Sequence, residues 1–63
     1  MEIIGSKMEK LRKAKKLSQK QLAEQAQISQ SAVHYIEKGE RSPTIYTLSR
    51  LANALGVEIY DLL

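Results

Sequence analysis

Sixty-three residues make one small domain at most, of a size at which a single core supplies only about 3–5 kcal/mol without staples, so two-domain enzymes are excluded. With 43% hydrophobic and 27% charged residues the composition is globular rather than disordered. The absence of cysteine removes disulfides, thiolate nucleophiles and sulfur-ligated metals, and the single histidine leaves a zinc site short of ligands. No apolar run approaches the roughly 18 residues of a membrane span and no leader with a cleavage site is evident, so the default compartment is the cytoplasm.

The net charge of +3 is unevenly spread. Lys7, Lys10, Arg12, Lys13, Lys15, Lys16 and Lys20 face one acid, Glu9, a local excess of +6. From residue 21 onward three basic residues meet five acidic ones, a balance of −2, and Glu2 completes the total. The basic segment is either a surface for a polyanion or a solvated lysine-rich helix face.

In chain order, Ile4, Met8, Leu11 and Ala14 form one stripe of an amphipathic helix running from Ile4 to Lys15. Ser18 then opens S-x-x-Q with Gln21, a capping box that starts a second helix over about Gln19 to Ala26, with Leu22, Ala23 and Ala26 inward. Gln27-Ile28-Ser29 is a tight turn, and Ser29 caps a third helix from Gln30 to about Lys38, stopped by Gly39. Val33 and Ile36 face inward there, with Ala32 at their flank, while Gln30, Ser31, His34, Tyr35 and Lys38 make a polar outer face. Pro43 holds Ser42 out of helical geometry and Thr44 caps a fourth helix with the stripe Ile45, Leu48, Leu51, Ala52 and Leu55, ended by Gly56. Val57 to Leu63 reads as a short fifth helix with Ile59, Leu62 and Leu63 inward. The fold class is therefore all-α: a single five-helix domain over 1–63.

Two short helices joined by about three residues, the second with an amide-, hydroxyl- and imidazole-bearing face, meet the physical requirement for reading a DNA major groove about 12 Å wide. Gln30 can donate to and accept from adenine at once. Gln19 sits where the free backbone N–H groups of a helix N-terminus attract phosphate.

Leu17-Ser18-Gln19, Leu22-Ala23, Ile28-Ser29-Gln30, Val33, Ile36-Glu37-Lys38-Gly39, Pro43, Leu48, Leu51-Ala52 and Ala54-Leu55-Gly56-Val57 together resemble the helix-turn-helix domain of the Cro and phage-repressor class, the Xre family. The likeness runs from about Lys7 onward. It implies a lambda-repressor-like DNA-binding domain with the helix-turn-helix at about 19–38 and the third helix as reader. It implies base-reading roles for Gln30, Ser31, His34 and Tyr35, and phosphate-contacting roles for Gln19, Ser29, Lys38 and Arg41. It also implies a salt bridge from Arg12 to Glu37. Where the family often places a glycine in the turn, this chain has Gln27, so a positive φ there stores strain on the order of 1 kcal/mol.

The function expected is sequence-specific binding of double-stranded DNA by a transcriptional regulator, a repressor in the first reading, as a homodimer on a palindromic operator. Val57, Ile59, Tyr60 and Leu63 are the candidate dimer surface, unless they simply close the core. The alternative is a protein-interaction module of the same fold, antitoxin-like or anti-repressor-like. No enzyme, cofactor, metal or small-molecule ligand is expected, because no nucleophile stands with a base. The chain reads either as a bare regulator or as the DNA-binding piece of a longer repressor.

Overall fold

Among the described residues the chain forms four α-helices and one 3-10 turn. A computed structural model describes residues 2–63, with side chains from Ile4 onward. The elements are α1 (Glu2–Ala14), α2 (Gln19–Ala26), α3 (Gln30–Glu37), α4 (Ile45–Leu55) and the 3-10 turn Ile59–Asp61. Each helix after α1 starts on a hydroxyl that takes up an orphan backbone N–H. Ser18 Oγ accepts from the Gln21 N–H at 3.0 Å, and the Gln21 side chain accepts the Ser18 N–H at 2.8 Å. Ser29 Oγ accepts from the Ala32 N–H and Thr44 Oγ1 from the Thr47 N–H, both at 3.1 Å.

The helix ends share one device. Residues Lys16, Gln27, Gly39 and Gly56 all have φ between 60 and 77°, and the residue after each donates its N–H five residues back. These are Schellman closures, which satisfy the last carbonyls of a helix. Glycine fills two of the four left-handed positions without strain; Lys16 and Gln27 do not have that freedom. At Gln27 the backbone is at φ 60 and ψ 42, so Gln27→Gly is expected to raise the melting temperature by about 4–8 °C for each kcal/mol of strain relieved. An unchanged or lower melt would reject strain at this turn.

The core is built from Ile4 and Met8 of α1, Leu22, Ala23 and Ala26 of α2, Val33 and Ile36 of α3, Leu48, Leu51, Ala52 and Leu55 of α4, and Leu62. Helix α3 packs on α1 and α2, and α4 packs on α2 and the 3-10 turn. Close approach of α1 to α3 depends on Gly5, where a Cβ would lie 2.8 Å from the Glu37 carbonyl oxygen and closer still to that of Ile36.

Three expectations need correction. The fifth helix is only the 3-10 turn, because the Asp61 and Leu62 N–H groups bond three residues back and Asp61 Oδ2 accepts the Glu58 N–H at 2.9 Å. Leu63 points outward at 58% exposure, whereas Leu62 is fully buried. Ile45 is 69% exposed and Ala14 is exposed too, since the first residue of α4 and the last of α1 overhang the core that their stripes reach further along.

Candidate nucleic-acid interface

Helix α3 presents Gln30, Ser31, His34, Tyr35 and, just past its end, Lys38 to solvent, all exposed, because Val33 and Ile36 bury the other side. Gln19, the first residue of α2, joins Gln30, Ser31, His34 and Tyr35 around one shallow depression. Two helix starts and one helix face thus converge on a surface that a groove edge can meet. The His34 and Tyr35 rings meet edge to face at 5.3 Å, and the Arg41 guanidinium lies 5.4 Å from the Tyr35 ring centre, so Tyr35 links the polar face of α3 to the loop that follows it. Lys38 pairs with Glu40 at 3.4 Å, both half exposed, a contact weak enough for a phosphate to displace. Ser29 spends one of its two hydroxyl lone pairs on the Ala32 cap, which leaves its O–H free to donate outward.

Beneath this surface lies a charged network. Arg12 Nε donates to Glu37 Oε2 at 2.7 Å and Nη2 to Oε1 at 3.1 Å, a two-pronged pair of side chains only 9% and 3% exposed. Arg12 Nη1 donates to the Leu17 carbonyl at 2.8 Å, bracing the turn that leads into α2. Gln19 Nε2 donates to Glu37 Oε1 at 3.0 Å. One carboxylate of α3 therefore ties α1 and the start of α2 to the helix that carries the polar face. Sequence reasoning named Arg12 with Glu37 but had no signal for Gln19 or Leu17, which only tertiary contact brings in. The hydrogen bond to Glu37 raises the Arg12 guanidinium above its ordinary pKa, against an opposing effect of burial. A raised value contributes stability at every pH below the unfolded arginine value and loses it only as pH climbs through the folded one. On the arginine side the pair is thus constant across the neutral range.

For Gln19 the bond to Glu37 fixes the amide: one Nε2–H is held inward, and the second N–H and the carbonyl oxygen have no partner among the described residues. Val57 and Ile59 are half-buried against the core, while Tyr60 is 71% exposed, so the candidate dimer residues divide into a packed pair and an outward pair, Tyr60 and Leu63.

A family model described as helix-turn-helix matches residues 8–62. The chain belongs to the helix-turn-helix family. This helix-turn-helix chain is 39% identical over 56 residues to the immunity repressor protein of Bacillus phage phi105, across 89% of its own length and 39% of the repressor's. It therefore spans well under half the length of that relative. The restriction-modification controller protein C.AhdI from Aeromonas hydrophila is similar in structure, with a TM-score of 0.93 at 35% identity over 95% of this chain and 91% of that one. SinR, the master regulator for biofilm formation, solved in complex with DNA, has a TM-score of 0.88 at 32% identity over 94% of this chain and 98% of that one. No helix among the described residues is long and apolar enough to cross a membrane.

Proposed function

We propose that this chain regulates transcription, as a repressor in the first instance, by binding double-stranded DNA with α3 in the major groove. The observation that carries the reading is the convergence of Gln19 with the exposed Gln30, Ser31, His34 and Tyr35 on one surface. The likeness to a phage immunity repressor and to a SinR structure that contains DNA supports it. Gln30 reads a base edge, with Ser31, Tyr35 and His34 beside it. Gln19 with the α2 N-terminus, Ser29, Lys38 and Arg41 holds phosphates and sets register. Such a role is consistent with the cytoplasm, the compartment expected from the sequence.

One such domain covers too little DNA for tight specific binding, and two copies on half-sites about 34 Å apart are the usual remedy. The chain acts as a homodimer on a palindromic operator, with Tyr60 and Leu63 as the exposed part of the contact and Val57 and Ile59 beneath them.

Selection of duplexes from a random pool at about 150 mM salt, a level that screens weak surface attraction, tests both parts. Wild type is expected to enrich a two-fold-related motif, and Gln30→Ala to lose about 1–3 kcal/mol of preference at one base of each half-site. Enrichment of a single half-site would remove the dimer. If neither protein enriches any sequence, base reading by α3 is wrong, and the bundle is either a non-specific DNA binder or a module for a protein partner.

A further inference from the structure

We infer that Arg50 of α4 is a positioning residue for base reading: it braces the turn between α2 and α3, with Tyr46 holding it in place. This rests on α3 being the reader. Helix α2 carries no basic residue in its last turn, so the negative end of its dipole has no cation of its own. Arg50 supplies one from another helix, Nη1 donating to the carbonyl of Gln27 at 3.1 Å. Its Nη2 donates to Tyr46 Oη at 3.1 Å, and the guanidinium carbon lies 4.7 Å from the Tyr46 ring centre. The two residues are one turn apart on α4, and Tyr46 is 68% exposed, so core packing does not account for the ring being there.

Gln27 is the left-handed residue on which α2 closes, and only Ile28 and Ser29 separate it from Gln30. A carbonyl held at this point fixes the direction in which the chain leaves α2 and hence where the Ser29 cap and Gln30 stand. Base contacts tolerate displacements of about 0.5 Å, whereas attraction between lysines and phosphates does not depend on such fit. The brace therefore serves discrimination between sequences and leaves general attraction to DNA alone. A lysine at position 50 keeps the charge but not the planar fork that joins a carbonyl to a ring.

The test compares wild type, Arg50→Gln and Arg50→Lys on two readouts. The first is exchange of the Gln27 and Ile28 amide protons, which bond back to Ala23 and Glu24, in the free protein. Arg50→Gln is expected to speed their exchange relative to amides in the middle of α4, and Arg50→Lys to restore part of it. The second is affinity for the selected duplex and for an unrelated duplex of equal length. Arg50→Gln is expected to weaken the first about tenfold and the second less than twofold, with the salt slope unchanged. Unaltered exchange at the turn overturns the brace, whatever the DNA result. Equal losses on both duplexes with a shallower salt slope would make Arg50 a phosphate contact, and equal losses with a lowered melt would make it merely structural. Because the exchange readout needs no DNA, a pool that yields no motif counts against reading by α3 and not against the brace.

Discussion

Replacing Glu37 by alanine is expected to leave about half of the molecules unfolded at 25 °C. The substitution strands Arg12, whose side chain is 9% exposed, without the carboxylate that takes two of its hydrogen bonds. Removing one partner of a buried pair costs about 3–5 kcal/mol, which equals the whole stability expected of a domain this small. It also frees Gln19 and so loosens the junction of α2 with α3. Glu40→Ala, which removes only an exposed contact to Lys38, is expected to change stability by no more than about 0.5 kcal/mol. Thermal melts followed by far-ultraviolet circular dichroism measure both, and equal melting temperatures for the two variants would refute the role given to Glu37. Replacing both partners, Arg12→Met with Glu37→Leu, is expected to recover much of the loss, since the cost lies in the uncompensated charge rather than in the absent pair.

Gly5→Ala reverses the sign usual for its type of substitution. In an open helix interior, alanine is better than glycine by about 1 kcal/mol. Here the new methyl meets the Ile36 and Glu37 carbonyl oxygens, which are backbone and cannot rotate away. Overpacking of this kind costs about 1–3 kcal/mol, and the melting temperature should fall by on the order of 10 °C. Because α1 would be forced off α3 at the carbonyl of the very residue that binds Arg12 and Gln19, affinity for DNA should fall with it. A melt equal to or above wild type would show that the two helices do not approach as closely as the geometry requires.

Much of this was legible along the chain, and the legible parts have local causes. The caps at Ser18, Ser29 and Thr44 each bond a backbone group three residues away, so four residues of sequence contain the whole interaction. Gly39 and Gly56 mark helix ends because a left-handed residue is cheap only for glycine. Lys16 occupies an equivalent position and gave no sign of it, since the closure is imposed by Leu17 returning its N–H to Arg12. Periodicity put Ile45 and Ala14 inside, and it failed at both because a stripe records which way a residue points, not whether a neighbouring helix extends far enough to cover it. The candidate reading face was visible as the polar side of α3, complementary to Val33 and Ile36. The bond from Gln19 to Glu37 was not, because 18 residues separate the two.

By itself, the sequence determined the order of the four α-helices, their ends to within two residues, most of the buried stripe of each and the polar face that α3 turns outward, through interactions spanning a few residues. Only the tertiary structure decided how closely α1 sits on α3, how Glu37 gathers Arg12 and Gln19, and how Arg50 reaches the Gln27 carbonyl. Those are meetings of groups 18 to 32 residues apart, and they exist only once burial of the common core has brought the helices together.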